Sequence, residues 1–182
     1  KSMLAQDIKP SRLQQAKWAV SDLVKELKGD RIGLITFAGG SFLQCPLTID
    51  YPALLMTLDD VYAGIIPRGG TAIAQALKEA AADFEKTGQA EKAVILISDG
   101  EDHEGDVASA IKQLKEEKIR VFAVGVGSLE GELIPSPDPA AEGPFLKDRA
   151  SQVVKSSLRE SVLEQIALET GGAYVRAAPG DF

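Results

Sequence analysis

Between Glu91 and Gly105 the chain reads EKAVILISDGEDHEG, and this stretch decides the fold. Ala93 to Ile97 is an unbroken aliphatic run, rich in β-branched residues, which predicts a strand buried on both faces. It stops at Ser98-Asp99-Gly100, and five acidic residues fall within the eight positions from Asp99 to Asp106. Ligands of open α/β sheets bind beyond the carboxyl ends of the strands. A hydroxyl and a carboxylate delivered there by a rigid strand suit a hard cation. An acidic turn that simply favours the N-terminus of the next helix fits this stretch equally well.

Working outward, the pattern alternates between strands and helices. Arg31 to Phe37 and Ile119 to Val126 are further apolar runs of strand length, and Ser41 to Leu47 fits a short edge strand limited by Pro46. Leu13, Ala16, Val20, Leu23, Val24 and Leu27 recur at helical spacing, so a helix is expected from about Ser11 to Leu27, ended by Gly29. Asp50 and Pro52 mark the start of a second helix reaching about Tyr62. A Gly/Pro-rich loop, Gly64 to Gly70, leads to Thr71, a cap for a helix Ala72 to Lys86. Helices are also expected over Val107 to Glu117 and Arg159 to Thr170, and a last strand over Ala173 to Arg176. Gly127 to Gly143 is too long for a simple connection. Phe145–Lys147 and Val153–Lys155 suggest a small β-hairpin after it. The predicted class is α/β, a doubly wound, mainly parallel sheet flanked by helices.

Composition removes several classes. The 182 residues are 45% hydrophobic and 26% charged, which suits one domain with a single core. A net charge of −7 argues against a nucleic-acid surface. No apolar run reaches the length of a membrane span, and no signal peptide is visible. The single Cys45 excludes an internal disulfide and reads as a buried, inert thiol. Gly69-Gly70-Thr71 lacks the Lys-Ser/Thr of a phosphate loop, and one histidine without a Gly-x-Ser-x-Gly elbow makes a serine-hydrolase site untenable.

Three positions lie where strand-end loops or helix starts are expected: Ser2, Thr71 and Asp99. Hydroxyls plus a carboxylate, without His or Cys, suit Mg²⁺ or Mn²⁺ rather than zinc. So few protein charges leave the ion electrophilic, with a free position for an outside carboxylate. Each residue also has an ordinary reading, as terminal residue, helix cap and turn residue respectively. His103, beside Glu101, Asp102 and Glu104, reads as part of a solvated turn before it reads as a transition-metal ligand.

Several segments resemble the von Willebrand factor type A domain, and among such domains the bacterial Bat (aerotolerance-operon) proteins. They are Ser2-Met3, Asp7-Ile8, Pro10-Ser11-Arg12-Leu13, Gly29 to Ile35, Phe37-Ala38-Gly39, Pro46-Leu47-Thr48, Gly70-Thr71-Ala72-Ile73 and Ser98-Asp99-Gly100-Glu101. Later residues agree: Gly125-Val126-Gly127, Gly131, Ile134-Pro135, Phe145 to Asp148, Gly171-Gly172 and Tyr174. The resemblance implies a metal-ion-dependent adhesion site. In that family an Asp-x-Ser-x-Ser motif, a later Thr and a strand-end Asp hold the ion. Thr71 and Asp99 match the last two, and Lys1-Ser2 matches the end of the first motif, making Ser2 its second serine. The motif's Asp and first Ser have no counterpart here, nor does the central strand before them.

One domain over residues 1–182 is therefore expected, N-terminally incomplete, with residues 127–158 as an insertion. The strands Arg31–Phe37 and Ala93–Ile97 should stand apart, because about 4.8 Å separates neighbouring strands and a missing one leaves roughly 10 Å. Unpaired backbone on both sides would cost about 1–3 kcal/mol per group, so the gap is expected to be filled, by residues outside this sequence or by a second copy. By resemblance the domain is a non-enzymatic protein-binding module whose partner offers a Glu or Asp carboxylate. Its expected setting is a bacterial membrane-associated complex, reached through segments outside this chain, on the periplasmic side. Two other functions compete: metal-free structural assembly, and Mg²⁺-dependent phosphoryl transfer with Asp99 as nucleophile.

Overall fold

A computed structural model describes residues 1–66, 69–84, 90–102, 105–137, 143–148 and 150–177. After a 3-10 turn at Ser2–Leu4 come helix α1 (Arg12–Glu26), strands β1 (Ile32–Phe37) and β2 (Ser41–Thr48), and helices α2 (Tyr51–Asp59) and α3 (Ile73–Phe84). Strand β3 (Lys92–Ser98), helix α4 (Val107–Glu116) and strand β4 (Ile119–Val126) follow. The chain continues through β5 (Glu132–Leu133), β6 (Lys155–Ser156), α5 (Glu160–Thr170) and β7 (Tyr174–Ala177). Local chemistry sets several starts. Ser11 Oγ accepts the Gln14 N–H at 3.2 Å, Asp50 Oδ1 that of Ala53 at 3.1 Å, and Asp106 Oδ1 that of Ser109 at 3.0 Å.

Strands β3, β4 and β7 form a parallel sheet in that order, with Ser98 opposite Gly125 at its carboxyl rim. Helices α3, α4 and α5 cover one face, and the main core lies between. Ile73, Leu77, Leu96, Ile111, Leu114, Val121, Leu163 and Ile166 meet there, all buried. The other face is covered at the rim, where Ile8 packs with Val126 and Ala177. Farther from the rim Ile95, its partner Phe122, and Val175 are exposed.

Strand β1 pairs antiparallel with β2 and not with β3. The two strands expected to flank a gap do stand apart, separated by a cleft of about 530 Å³ lined by Ile32 to Ile35 and by Ala93 to Ile97. This cleft corrects one expectation. Ala93 and Ile95 of β3 are exposed, so the strand is not buried on both faces.

Other boundaries differ for local reasons. Helix α1 ends at Glu26, and its C-cap Leu27 is extended, so Gly29, with φ +97°, turns the chain after the helix has stopped. Helix α2 ends at Asp59, where the N–H groups of Asp60 and Val61 bond back to Met56 and Leu58. The expected end of α3 at Lys86 lies outside the described residues. The expected hairpin is present as a Lys147–Val153 bridge, with the Val154 N–H bonded to Leu146 O. Part of the long loop joins it, since Ile134 N–H reaches Val154 O and Leu146 N–H reaches Ile134 O. The insertion thus ends on Ser156, beside the rim of the parallel sheet.

Candidate cation site at the sheet rim

Strand β3 delivers Ser98 and Asp99 to the rim, and both are buried, at 4% and 2% exposure. Gly100 turns the chain away with φ +73°, and a Cβ there would lie 2.1 Å from Arg159 O, so only glycine fits. Ser98 Oγ accepts the Gly100 N–H at 3.1 Å, and Asp99 O accepts the Arg159 N–H at 2.8 Å. These bonds fix the backbone from which the Asp99 carboxylate projects. Its Oδ2 accepts from Ser156 Oγ at 3.0 Å and from Arg12 Nη1 at 3.3 Å. Its Oδ1 receives the Glu101 N–H at 3.4 Å, a long contact.

Arg12 holds this arrangement together. It is fully buried, and its fork grips Asp7, Nε to Oδ1 at 2.9 Å and Nη2 to Oδ2 at 2.6 Å. The same guanidinium donates to Ser156 Oγ at 2.9 Å and to Ser156 O at 3.2 Å. Gly127, at φ +128°, lets the strand pass it, because a Cβ there would lie 2.6 Å from the guanidinium. Asp7 Oδ2 also accepts the Ser128 N–H at 2.8 Å. Burial alone would raise the Asp7 carboxyl, but the hydrogen bonds from Arg12 and Ser128 outweigh it and hold the pKa at about 2.

Ser2, Thr71 and Asp99 line one cavity of about 250 Å³, floored by Ile95 to Ser98 and bordered by the loop around Gly64 and Gly70. Three segments far apart in sequence therefore border the same cavity, which Lys1 and Lys17 also line. The donor set fits Mg²⁺ or Mn²⁺, hard ions that take oxygen ligands and keep bound waters. Among the described residues no group of three or more His, Cys, Asp or Glu is placed to hold a metal. Asp102 Oδ1 is buried without a hydrogen-bond partner among the described residues, which departs from a fully solvated turn. His103 and Glu104 lie outside the described residues. Cys45 is buried, and burial raises its thiol pKa.

The sequence reading missed the roles of Arg12, Asp7 and Ser156. A signal existed for Arg12: it stands four residues before Ala16 and shares a stripe with Val20 and Val24, so it lies on the buried side of its helix. Ser156 carried none, because its partners are brought near only by the insertion.

Residues 1–101 match the von Willebrand factor type A domain. The chain belongs to this family. Within it, the chain stands with the Bat proteins. It is 39% identical to the conserved hypothetical protein BatB from Bacteroides thetaiotaomicron, with a TM-score of 0.92 over 99% of this chain and 86% of that one. An aerotolerance-related membrane protein from Bacteroides fragilis NCTC 9343 is 38% identical, with a TM-score of 0.89 over 97% of this chain and 86% of that one. A protein of Borreliella burgdorferi is 22% identical over 171 residues, 90% of this chain and 47% of its own length. The chain spans about half the length of the curated relatives it matches. Von Willebrand factor type A domains commonly mediate protein–protein interaction, and no helix among the described residues is long and apolar enough to cross a membrane.

Proposed function

We propose that this von Willebrand factor type A domain is a non-enzymatic binding module that recruits a protein partner through a divalent cation. The observation that carries the reading is the convergence of Ser2, Thr71 and Asp99 on one cavity at the sheet rim. These residues would hold Mg²⁺ or Mn²⁺, and the ion, when bound, would offer a coordination position to a Glu or Asp of the partner. The chain's own part is to hold Asp99 in place through Ser98, Gly100, Ser156 and Arg12. We place the module in a membrane-associated bacterial complex linked to aerotolerance, supported by its likeness to the aerotolerance-related membrane protein of Bacteroides fragilis, and propose that it faces the periplasm.

Metal-free assembly is the second reading, and one observation favours it: Asp99 already has a cationic partner in Arg12, at 3.3 Å and shared with Asp7. Phosphoryl transfer fits less well, because Asp99 is followed two residues on by Glu101 and not by the Asp of an Asp-x-Asp pair. Titrating Mg²⁺ into the full chain separates the readings. Saturable binding that disappears in both Asp99→Ala and Thr71→Ala supports the cation site, and unchanged partner binding in those variants supports metal-free assembly.

A further inference from the structure

We propose that the outer face of the insertion is a contact for an anionic lipid surface. Backbone pairing puts Leu133 opposite Lys155, Pro135 opposite Phe145 and Lys147 opposite Val153, and residues paired in this way share one face of a sheet. Burial divides the insertion along the same line. The alternate residues point inward: Ile134 and Ser156 are buried, and Leu146 and Val154 are partly buried. Phe145, Lys147, Val153 and Lys155 stand outward and are exposed, with Leu133 and Pro135 half-buried beside them. This face therefore carries four apolar side chains, two ammonium groups and no carboxylate. Among the described residues neither Lys147 nor Lys155 is in an ion pair, whereas Lys25, Lys112 and Lys115 each face a carboxylate. Asp148, in the turn beyond Lys147, has its Oδ1 occupied by the N–H groups of Ala150 and Gln152.

Unpaired positive charge beside apolar side chains fits a bilayer surface. Along each strand of the hairpin an apolar residue and a lysine stand two positions apart, Phe145 with Lys147 and Val153 with Lys155, a spacing of roughly 7 Å. The four-carbon stem of lysine keeps its ammonium among the phosphates while a neighbouring Phe or Val reaches the acyl boundary. A bilayer offers both environments at every lateral position, so it needs no matching pattern of its own. A protein partner fits less well, because a stable interface takes roughly 20–30 residues a side and this face offers six. The net charge of −7 does not prevent the contact. Acidic side chains are absent from this face, and at physiological salt charges farther away than about 8 Å are largely screened. The insertion ends on Ser156, whose hydroxyl donates to Asp99 at 3.0 Å, so the lipid contact would also orient the sheet rim relative to the bilayer.

The test is flotation of the full chain with vesicles of phosphatidylglycerol mixed into phosphatidylcholine, compared with vesicles of phosphatidylcholine alone. EDTA is present throughout, so that no divalent ion at the rim bridges to phosphate and the result is independent of the cation-site reading. Wild type should float with the phosphatidylglycerol vesicles only, and less as salt is raised. Lys147→Ala and Lys155→Ala should each weaken binding by about fivefold, and Phe145→Ser should weaken it as well. Both lysines are exposed, so their variants should fold. Lys112→Ala removes an exposed cation from helix α4 and should bind as wild type does. Wild type that stays behind when phosphatidylglycerol vesicles rise overturns the proposal and leaves this face to an acidic protein. Equal losses in Lys147→Ala and Lys112→Ala overturn it too, because the attraction would then belong to the whole chain and not to the insertion.

Discussion

Arg12 and Asp7 show how one buried ion pair can organise a rim built from distant residues. Arg12 also faces Asp99 at 3.3 Å, so losing Asp7 removes two charge-assisted bonds without stranding the guanidinium. Asp7→Asn should lower stability by about 1.5–3 kcal/mol at neutral pH, measured by urea unfolding. The pH dependence has a definite sign. Asp7 falls from its ordinary 3.8 to about 2 on folding, so its stabilisation is complete above about pH 4 and fades as pH drops through 2. Wild type and Asp7→Asn should therefore converge on acidification, and a constant difference down to pH 2 would contradict the pairing. Gly100→Ala places a Cβ against Arg159 O in a left-handed backbone, and a loss of at least about 2 kcal/mol is expected in thermal denaturation. At this scale the sequence was least legible. Asp99 is visible as a polar stop after an apolar run, but its partners lie 87 and 57 residues away, and no local period connects them.

Elements were more legible, since a helix or strand advertises itself through spacing that needs no tertiary knowledge. Strand β4 falls where its apolar run begins and ends, from Ile119 to Val126. Errors gathered where long-range contacts decide. Burial of β3 depends on what lies beside it, and the cleft toward β1 leaves Ala93 and Ile95 exposed. The insertion draws Glu132–Leu133 into pairing with Lys155–Ser156, which only the fold brings close. Backbone protection should follow the sheet topology. Strand β4 is paired on both sides, β3 with β4 alone and β1 with β2 alone. Hydrogen exchange should be slowest in β4 and faster in β1 and β3. Equal protection in all three strands would show that β1 and β3 are not free edges.

For the whole molecule, two open strand edges face each other across an apolar cleft, a form that sheets seldom leave uncovered. Occupation by an extended segment would add main-chain bonds on both sides, so protection of Ile32–Phe37 and Lys92–Ser98 should rise in the assembled protein above that of the 182-residue chain. The same cleft adjoins the cation cavity, as Leu34, Ile35 and Ile95 to Ile97 line both, so a filled cleft would also close the wall behind Ser2 and Asp99. The proposal at the scale of the whole molecule is that oxygens of Ser2, Thr71 and Asp99 present an ion for another protein's acid group to complete. The most direct measurement is retention of the bound partner by the full chain in Mg²⁺ and in excess chelator, with Thr71→Ala alongside. The partner should be held in Mg²⁺, released by chelator and recovered on adding Mg²⁺ back, with Thr71→Ala failing to hold it; equal retention in chelator would contradict the account.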